Sequence, residues 1–250
     1  METKIKLGMP IEKIARLPKG KFHFHVAEAK MEMSLTGNLS FITDKNLYKE
    51  IRNYIKTEHP NLENKFIFEE NVMKQSSTYL AVAVDMFFKK YHPEYRLATQ
   101  LDLEQNLDFT KDTYNDSGLA LRNLKNTNKE QAIYLFNQLK QKNISEKDFP
   151  IWINLRGLEL TQDLNFNLTE ESFYKTAECL NWKSGTNFSK INKFGLPQEE
   201  NKNFSRQIWT SDNALSSCYL YRDSNLYSDY SDFAYSNGDG RVVLAKLRSN

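Results

Sequence analysis

The chain has 250 residues, 40% of them apolar and 13% aromatic, with a formal net charge of +2. That is enough apolar material to bury a substantial core and too much for wholesale disorder, and the balanced charge lacks the basic footprint of a nucleic-acid binder. No run approaches the roughly 20 apolar residues of a membrane helix, since the longest, Tyr79 to Phe88, contains Asp85, and Met1 to Leu7 alternates in charge where a secretion signal is apolar. A soluble protein with no membrane insertion and no nucleic-acid partner is expected. With only Cys179 and Cys218, a disulfide framework is excluded.

Phe22, Phe24 and Val26 alternate with His23, His25 and Ala27, the period-two pattern of a half-buried strand, and Gly37-Asn38 predicts a turn before Leu39 to Ile42. Thr43 or Asp44 can cap a helix with Leu47, Ile51, Tyr54 and Ile55 on one face, ending before Pro60. Residues 1–62 read as an accessory αβ unit, with the main domain in 63–250. There, Lys65 to Phe68 reads as a strand and Ser76-Ser77-Thr78 cap an apolar helix from Tyr79 to Tyr91. Tyr95-Arg96-Leu97-Ala98-Thr99 leads into a second, short helix with Thr99 as N-cap, Asp102 reaching back to it, and Leu101, Leu103 and Leu107 as apolar contacts.

Thr110 to Asn128 is polar and is expected as an exposed excursion. A helix follows over Lys129 to Asn143, a strand over Pro150 to Leu155, and a capped helix over Thr169 to Asn181 with Phe173, Ala177 and Leu180 inward. Asn181 to Gln207 carries Gly185, Gly195 and Pro197 and predicts a long loop. Short strands over Gln207 to Thr210 and Arg241 to Leu247 end the reading. His23 and His25 lack a third ligand at diagnostic spacing, and Asp212, Asp223, Asp229, Asp232 and Asp239 fall in no calcium-loop pattern, so no metal or other cofactor is expected. With no phosphate-binding glycine loop, nucleophile elbow or Cys/His pair, an enzyme is not expected either.

The segment Asp212 to Asp239 differs from everything around it. Of its 28 residues, 19 are Tyr, Ser, Asp or Asn, and it contains no Lys, Glu, Gln, Met or Trp, where about seven would follow from the chain's composition. Tyr supplies stiff, amphipathic contact area, while Ser, Asn, Asp and Gly supply adaptable hydrogen bonds, the mixture antibody paratopes use. The five missing types are also those an Asn codon cannot become when its two adenines alone are replaced. Leu215, Leu220, Leu226 and Phe233 recur inside the segment as anchors, and a core strand follows it at once.

With these residues the chain resembles the variable proteins of diversity-generating retroelements, whose variable region sits on a C-type-lectin-like fold shared with formylglycine-generating enzymes. Three features carry the resemblance: the Tyr79 to Tyr91 helix followed by Tyr95-Arg96-Leu97-Ala98-Thr99 and Leu101-Asp102-Leu103-Glu104; Ile208-Trp209-Thr210-Ser211 opening the variable segment; and the terminal Gly-Arg-Val-Val-Leu strand. It covers about Asn64 to Ser249. The first ~60 residues and the polar excursion match nothing in that family.

The resemblance implies an α+β, C-type-lectin-like fold with paired terminal strands and a small antiparallel sheet, in which Lys65 to Val72 pairs with Arg241 to Leu247. It implies variable side chains at Ser216, Ser217, Cys218, Tyr219, Tyr221, Asp223, Ser224, Asn225, Tyr227, Asp229, Tyr230, Asp232, Tyr235, Ser236 and Asn237, with Trp209, Val242, Val243 and Leu244 as scaffold. The expected partner is a variable ligand, a protein or surface molecule, met by a monomer. The alternative is a structural or virion-associated protein whose Tyr/Ser-rich loop is a fixed subunit interface.

Overall fold

The computed structural model describes residues 39–63 and 65–247. Strand β1 (Leu39–Phe41) leads into helix α1 (Lys45–Glu58), which starts where Asp44 accepts hydrogen bonds from the backbone N–H groups of Asn46 and Leu47 at 2.7 and 2.9 Å. After the hairpin β2 (Ile67–Glu69) and β3 (Val72–Lys74) comes α2 (Thr78–Tyr91), capped by Ser77 and buried nearly all round. Strand β4 (Tyr95–Leu97) and the short helices α3 (Gln100–Glu104) and α4 (Leu107–Thr110) follow, then β5 (Asn115–Leu121) and α5 (Lys129–Lys140).

The second half is almost all strand: β6 (Ile151–Asn154), β7 (Leu158–Leu160), β8 (Phe166–Leu168), β9 (Tyr174–Thr176), β10 (Thr186–Ile191) and β11 (Pro197–Glu200). It ends with β12 (Gln207–Thr210), β13 (Leu215–Leu220), β14 (Leu226–Tyr230) and β15 (Val243–Lys246). Eight strands form one sheet in the order β11-β10-β12-β14-β13-β5-β6-β9, antiparallel except where β12 runs parallel to β14. A three-stranded sheet, β1-β15-β4, joins the first and last described strands, and β2–β3 and β7–β8 are separate hairpins. The class is α+β.

The large sheet is buried on both sides over its middle, which sets its sequence pattern. Leu119, Leu121, Ile151 and Ile153 pack with α1, α2 and α5 in one continuous cluster. Residues 39–62 add Ile42, Tyr48, Ile51, Ile55 and Leu62 to that same cluster. The alternate residue Trp152 lies over Gly118, where an added Cβ would sit 2.2 Å from the indole nitrogen, and its ring meets Phe173, which packs on Phe194. Any side chain at 118 would push Trp152 out of place.

Two buried carboxylates inside this packing are held by several donors each. Thr99 and Asp102 form the expected reciprocal cap of α3, and Asp102 also takes the guanidinium of Arg96 in a buried ion pair, with Nη2 at 3.1 Å from Oδ1. Asp85 on α2 accepts from the N–H groups of Leu97 and Gly157 at 2.8 and 3.1 Å, stitching helix to sheet, and burial pushes its carboxyl above the usual range.

Several expectations are corrected. Lys65 to Val72 does not pair with the C-terminal strand: Glu70 and Asn71 both take positive φ, 50° and 59°, so the chain folds back at once and β2 pairs with β3. The C-terminal strand instead lies between β1 and β4. The supposed polar excursion contains β5, buried at every position, because its Asn, Asp and Ser side chains find partners inside the protein and not in water. Thr169 does not cap a helix. Its hydroxyl donates to Gly157 O at 2.7 Å and accepts from Glu171 N–H, making a turn, after which Tyr174–Thr176 joins the sheet beside β6. The supposed loop over 181–207 holds the β10–β11 hairpin. The strand read at Phe22 to Val26, its histidines and the Gly37-Asn38 turn lie outside the described residues.

His59, at the end of α1, is buried with no hydrogen-bond partner on either ring nitrogen and stands edge-on to Tyr54. Burial lowers its pKa below 6.5. The folded state therefore holds it neutral, and the stability this contributes above pH 6.5 is lost as pH falls toward the lowered value, where the unfolded chain takes up the proton first. His59→Leu should gain on the wild type progressively from pH 7 to pH 5 in urea-unfolding midpoints; a difference constant over that interval would contradict the assignment.

Candidate binding face

The segment that stands apart in composition forms β13, β14 and their connections. Register puts Trp209 of β12 beside Tyr227 of β14, Tyr227 beside Tyr219 of β13, and Tyr219 beside Asp116 of β5. Neighbouring strands lie roughly 4.8 Å apart, so like side chains on one face stack. The Trp209 and Tyr227 rings are 6.1 Å apart at 11°, and those of Tyr227 and Tyr219 are 5.1 Å apart at 9°. Tyr114 continues the row at 4.6 Å from Tyr219, and Tyr221 meets Tyr227 edge-on. Tyr230 and Tyr235 form a second pair at 4.7 Å, with Tyr235 40% exposed.

Each phenol in the row has a carboxylate. The Tyr219 hydroxyl donates to Asp229 and that of Tyr227 to Asp223, both at 3.3 Å, while Tyr114 donates to Asp116 at 2.8 Å. Asp116 is fully buried at the start of α2 and also accepts from Thr78 at 2.8 Å and Ser76 at 3.4 Å. Burial nevertheless pushes its pKa up to about 6. Because that pKa is raised, its favourable share of stability is complete below pH 3.8 and lost as pH rises through about 6. Burial also raises the pKa of Tyr219, with Asp229 adding to the shift, and raises that of Asp229 itself.

The opposite side of β13 is built around one cation. Arg122 is buried; its Nε donates to Leu180 O at 2.8 Å, Nη1 to Ser216 Oγ at 2.7 Å, and Nη2 to both Ser228 O and Oγ at 2.6 Å. Burial lowers its pKa. Ser216 completes the arrangement by donating to Ser228 O at 2.6 Å.

The two ends of the β13–β14 hairpin are clamped from outside the segment. Glu104, buried on α3, takes both Nη atoms of Arg206 at 2.7 and 2.9 Å, and Arg206 Nε donates to Ser224 O at 2.7 Å. Asn225 is held by Gln207 N–H and by Asp223, and Ser224 between them takes a φ of 62°. At the other end, Asn128 donates to Leu215 O and Ser231 O, and Asn123 and Asn126 both donate to Asp212 O.

Of the fifteen positions expected to vary, the structure brings Tyr219, Tyr221, Tyr227, Asp229, Tyr230 and Tyr235 into the aromatic and acidic face, with Asp223 and Asp232 exposed beside it and Ser224, Ser236 and Asn237 half-buried around it. Ser216, Ser217 and Cys218 are elsewhere. All three are 0% exposed inside the sheet, so a ligand at the surface does not reach them, and Asn225 is enclosed in its turn. Val242, Val243 and Leu244 are core as expected, but Trp209 is half-buried at the end of the ring row. Tyr114 and Asp116 were hidden by the polar reading of their strand. The run Asn115-Asp116-Ser117-Gly118 carries no apolar alternation, so only Leu119, Ala120 and Leu121 signal the strand.

No family model, curated protein or solved structure matches the chain. Among the described residues, no three His, Cys, Asp or Glu side chains are grouped to hold a metal, and no helix is long and apolar enough to cross a membrane.

Arg122→Ala leaves Leu180 O and two serine hydroxyls without their buried donor and Ser228 O with Ser216 alone, and should cost about 3 kcal/mol in urea unfolding. A loss under about 0.5 kcal/mol, typical of a surface substitution, would show that Arg122 does not organise β13 and β14.

Proposed function

We propose that this protein is a ligand binder whose face, built from Asp212 to Asp239 on a C-type-lectin-like scaffold, is diversified by adenine-directed mutagenesis of a retroelement. The observation that carries the reading is the residue restriction of that segment, all drawn from types an Asn codon reaches through its adenines. Its physical side is consistent: Tyr221, Tyr227, Tyr230 and Tyr235 are half-buried or exposed beside short polar groups, while Leu215, Tyr219, Leu220 and Leu226 of the same segment are buried. Two features favour the scaffold assignment. The first and last described strands are neighbours, and the Arg-Leu-x-Thr turn leads into a capped helix that anchors Arg206 beside the face.

Binding then works through a few Tyr anchors with polar neighbours setting specificity, each buried Tyr contributing roughly 1 to 3 kcal/mol to affinity. An activity resembling that of formylglycine-generating enzymes is not proposed. Cys179 and Cys218 are buried, and burial raises both thiols, Cys179 to about 12, the opposite of an activated nucleophile.

Sequencing the DNA around the gene should reveal a near-copy of the coding segment for Asp212 to Asp239, differing only at adenines, beside a reverse transcriptase. A complete locus without such a copy would remove the retroelement reading and leave a fixed Tyr/Ser-rich interface.

A further inference from the structure

Charge is divided unevenly between this face and the rest of the chain. Five aspartates against Arg222 alone give Asp212–Asp239 a formal charge of −4 in a chain of net +2, leaving +6 on the remainder. Inside the segment the charges are not equivalent. Asp239 is paired with Arg222 at 2.5 Å, and Asp223 is occupied by three donors of its own turn. Asp229 makes no direct ion pair among the described residues, and the cation whose charge reaches it, Arg122, is buried with its donors committed to Leu180, Ser216 and Ser228. It is half-buried beneath the ring row, with one oxygen accepting from Tyr219 at 3.3 Å, and its charge is felt by Tyr227 and Tyr230 as well.

A carboxylate partly removed from water without a direct ion pair is costly, and a cation that pairs with it offsets that cost. The ring faces of Trp209, Tyr227 and Tyr219 cover one another, so the row offers a newcomer its edges and phenolic oxygens, which are hydrogen-bond acceptors. A planar guanidinium, with five donors, fits acceptors arranged in this way.

We infer that the partner of this face is a basic segment of a protein, which sets an arginine side chain against Asp229 among the phenols of Tyr219, Tyr227 and Tyr230. The inference rests on the ligand-binding reading and adds the chemistry of the occupant. A lysine ammonium carries the same charge but lacks the planar fork, which makes it the weaker fit.

The test is calorimetric titration of the full chain with an acetylated, amidated Arg-Ser repeat of eight residues. The comparison peptide carries citrulline at each arginine, the same shape without the charge. The arginine peptide should bind at least tenfold more tightly than the citrulline peptide. Asp229→Asn, which keeps the acceptor for Tyr219, should remove most of that preference, while Glu94→Gln at a distant exposed turn leaves it unchanged. Asp232→Asn, on an exposed side chain, serves as a second variant expected to give a smaller loss, so that an unfolded Asp229→Asn does not stop the test. Equal binding of the two peptides, equal weakening by Glu94→Gln, or full binding by a folded Asp229→Asn would each overturn the inference, as would an unfolded Asp229→Asn together with an unaffected Asp232→Asn. None of these outcomes bears on the gene locus, so the diversification reading stands or falls separately.

Discussion

The burial of β13 on both sides is the constraint from which the rest follows. A strand at the centre of an eight-stranded sheet has no free face unless its neighbours leave one open. On one side Ser216 and Cys218 close over Arg122, whose donors tie β13, β14 and the turn at Leu180 together. On the other, Leu215 enters the main core, and Tyr219 is covered by the rings of Tyr114 and Tyr227. β13 is thus buried throughout, and the open part of the segment begins just beyond it at Tyr221. The ring row extends the apolar layer beyond the point where helices cover it.

This arrangement separates two jobs that the sequence mixes. Leucines, buried serines and Cys218 hold β13 and β14 in the sheet, while the outward tyrosines and aspartates bear little of the packing. The clamps lie outside the segment: Glu104 through Arg206 at the 224 turn, and the asparagines at 123, 126 and 128 at the other end. A surface held in this way can change its side chains without moving its backbone, the property a diversified binder needs. A rigid platform also reduces the ordering cost of binding, because Tyr has few rotamers to lose.

Much of the scaffold was legible because local rules dominate there. The capping residues of α1, α2 and α3 stand where side-chain chemistry puts them, and the apolar stripe of α5 is regular. What failed were places where polarity did not mean exposure. Asn115, Asp116 and Ser117 look like a loop, yet they lie in a central strand, where Thr113 takes the Asn115 amide N–H, Thr78 donates to Asp116 and Gln100 accepts from Ser117. The same error exposed Ser216, Ser217 and Cys218, whose partners are Arg122, Tyr230 O and, at the Cys218 carbonyl, Ser117. Small polar residues are cheap to bury when a donor is waiting, and sequence alone does not reveal the donor. Composition marks the segment as a whole, while which of its positions face outward depends on register, which composition does not carry.

The central claim is that fold and face are separable within Asp212–Asp239, and it is tested most directly by saturation mutagenesis of those positions with resistance to proteolysis as the readout. The account predicts that Tyr221, Tyr227, Tyr230, Asp232 and Tyr235 accept nearly every residue reachable from an Asn codon through its adenines. Ser216, Ser217, Cys218 and Ser228 should accept almost none of the large ones, since filling a packed interior costs roughly 1 to 3 kcal/mol or more. Uniform tolerance along the segment, or intolerance concentrated at the outward tyrosines, would contradict it.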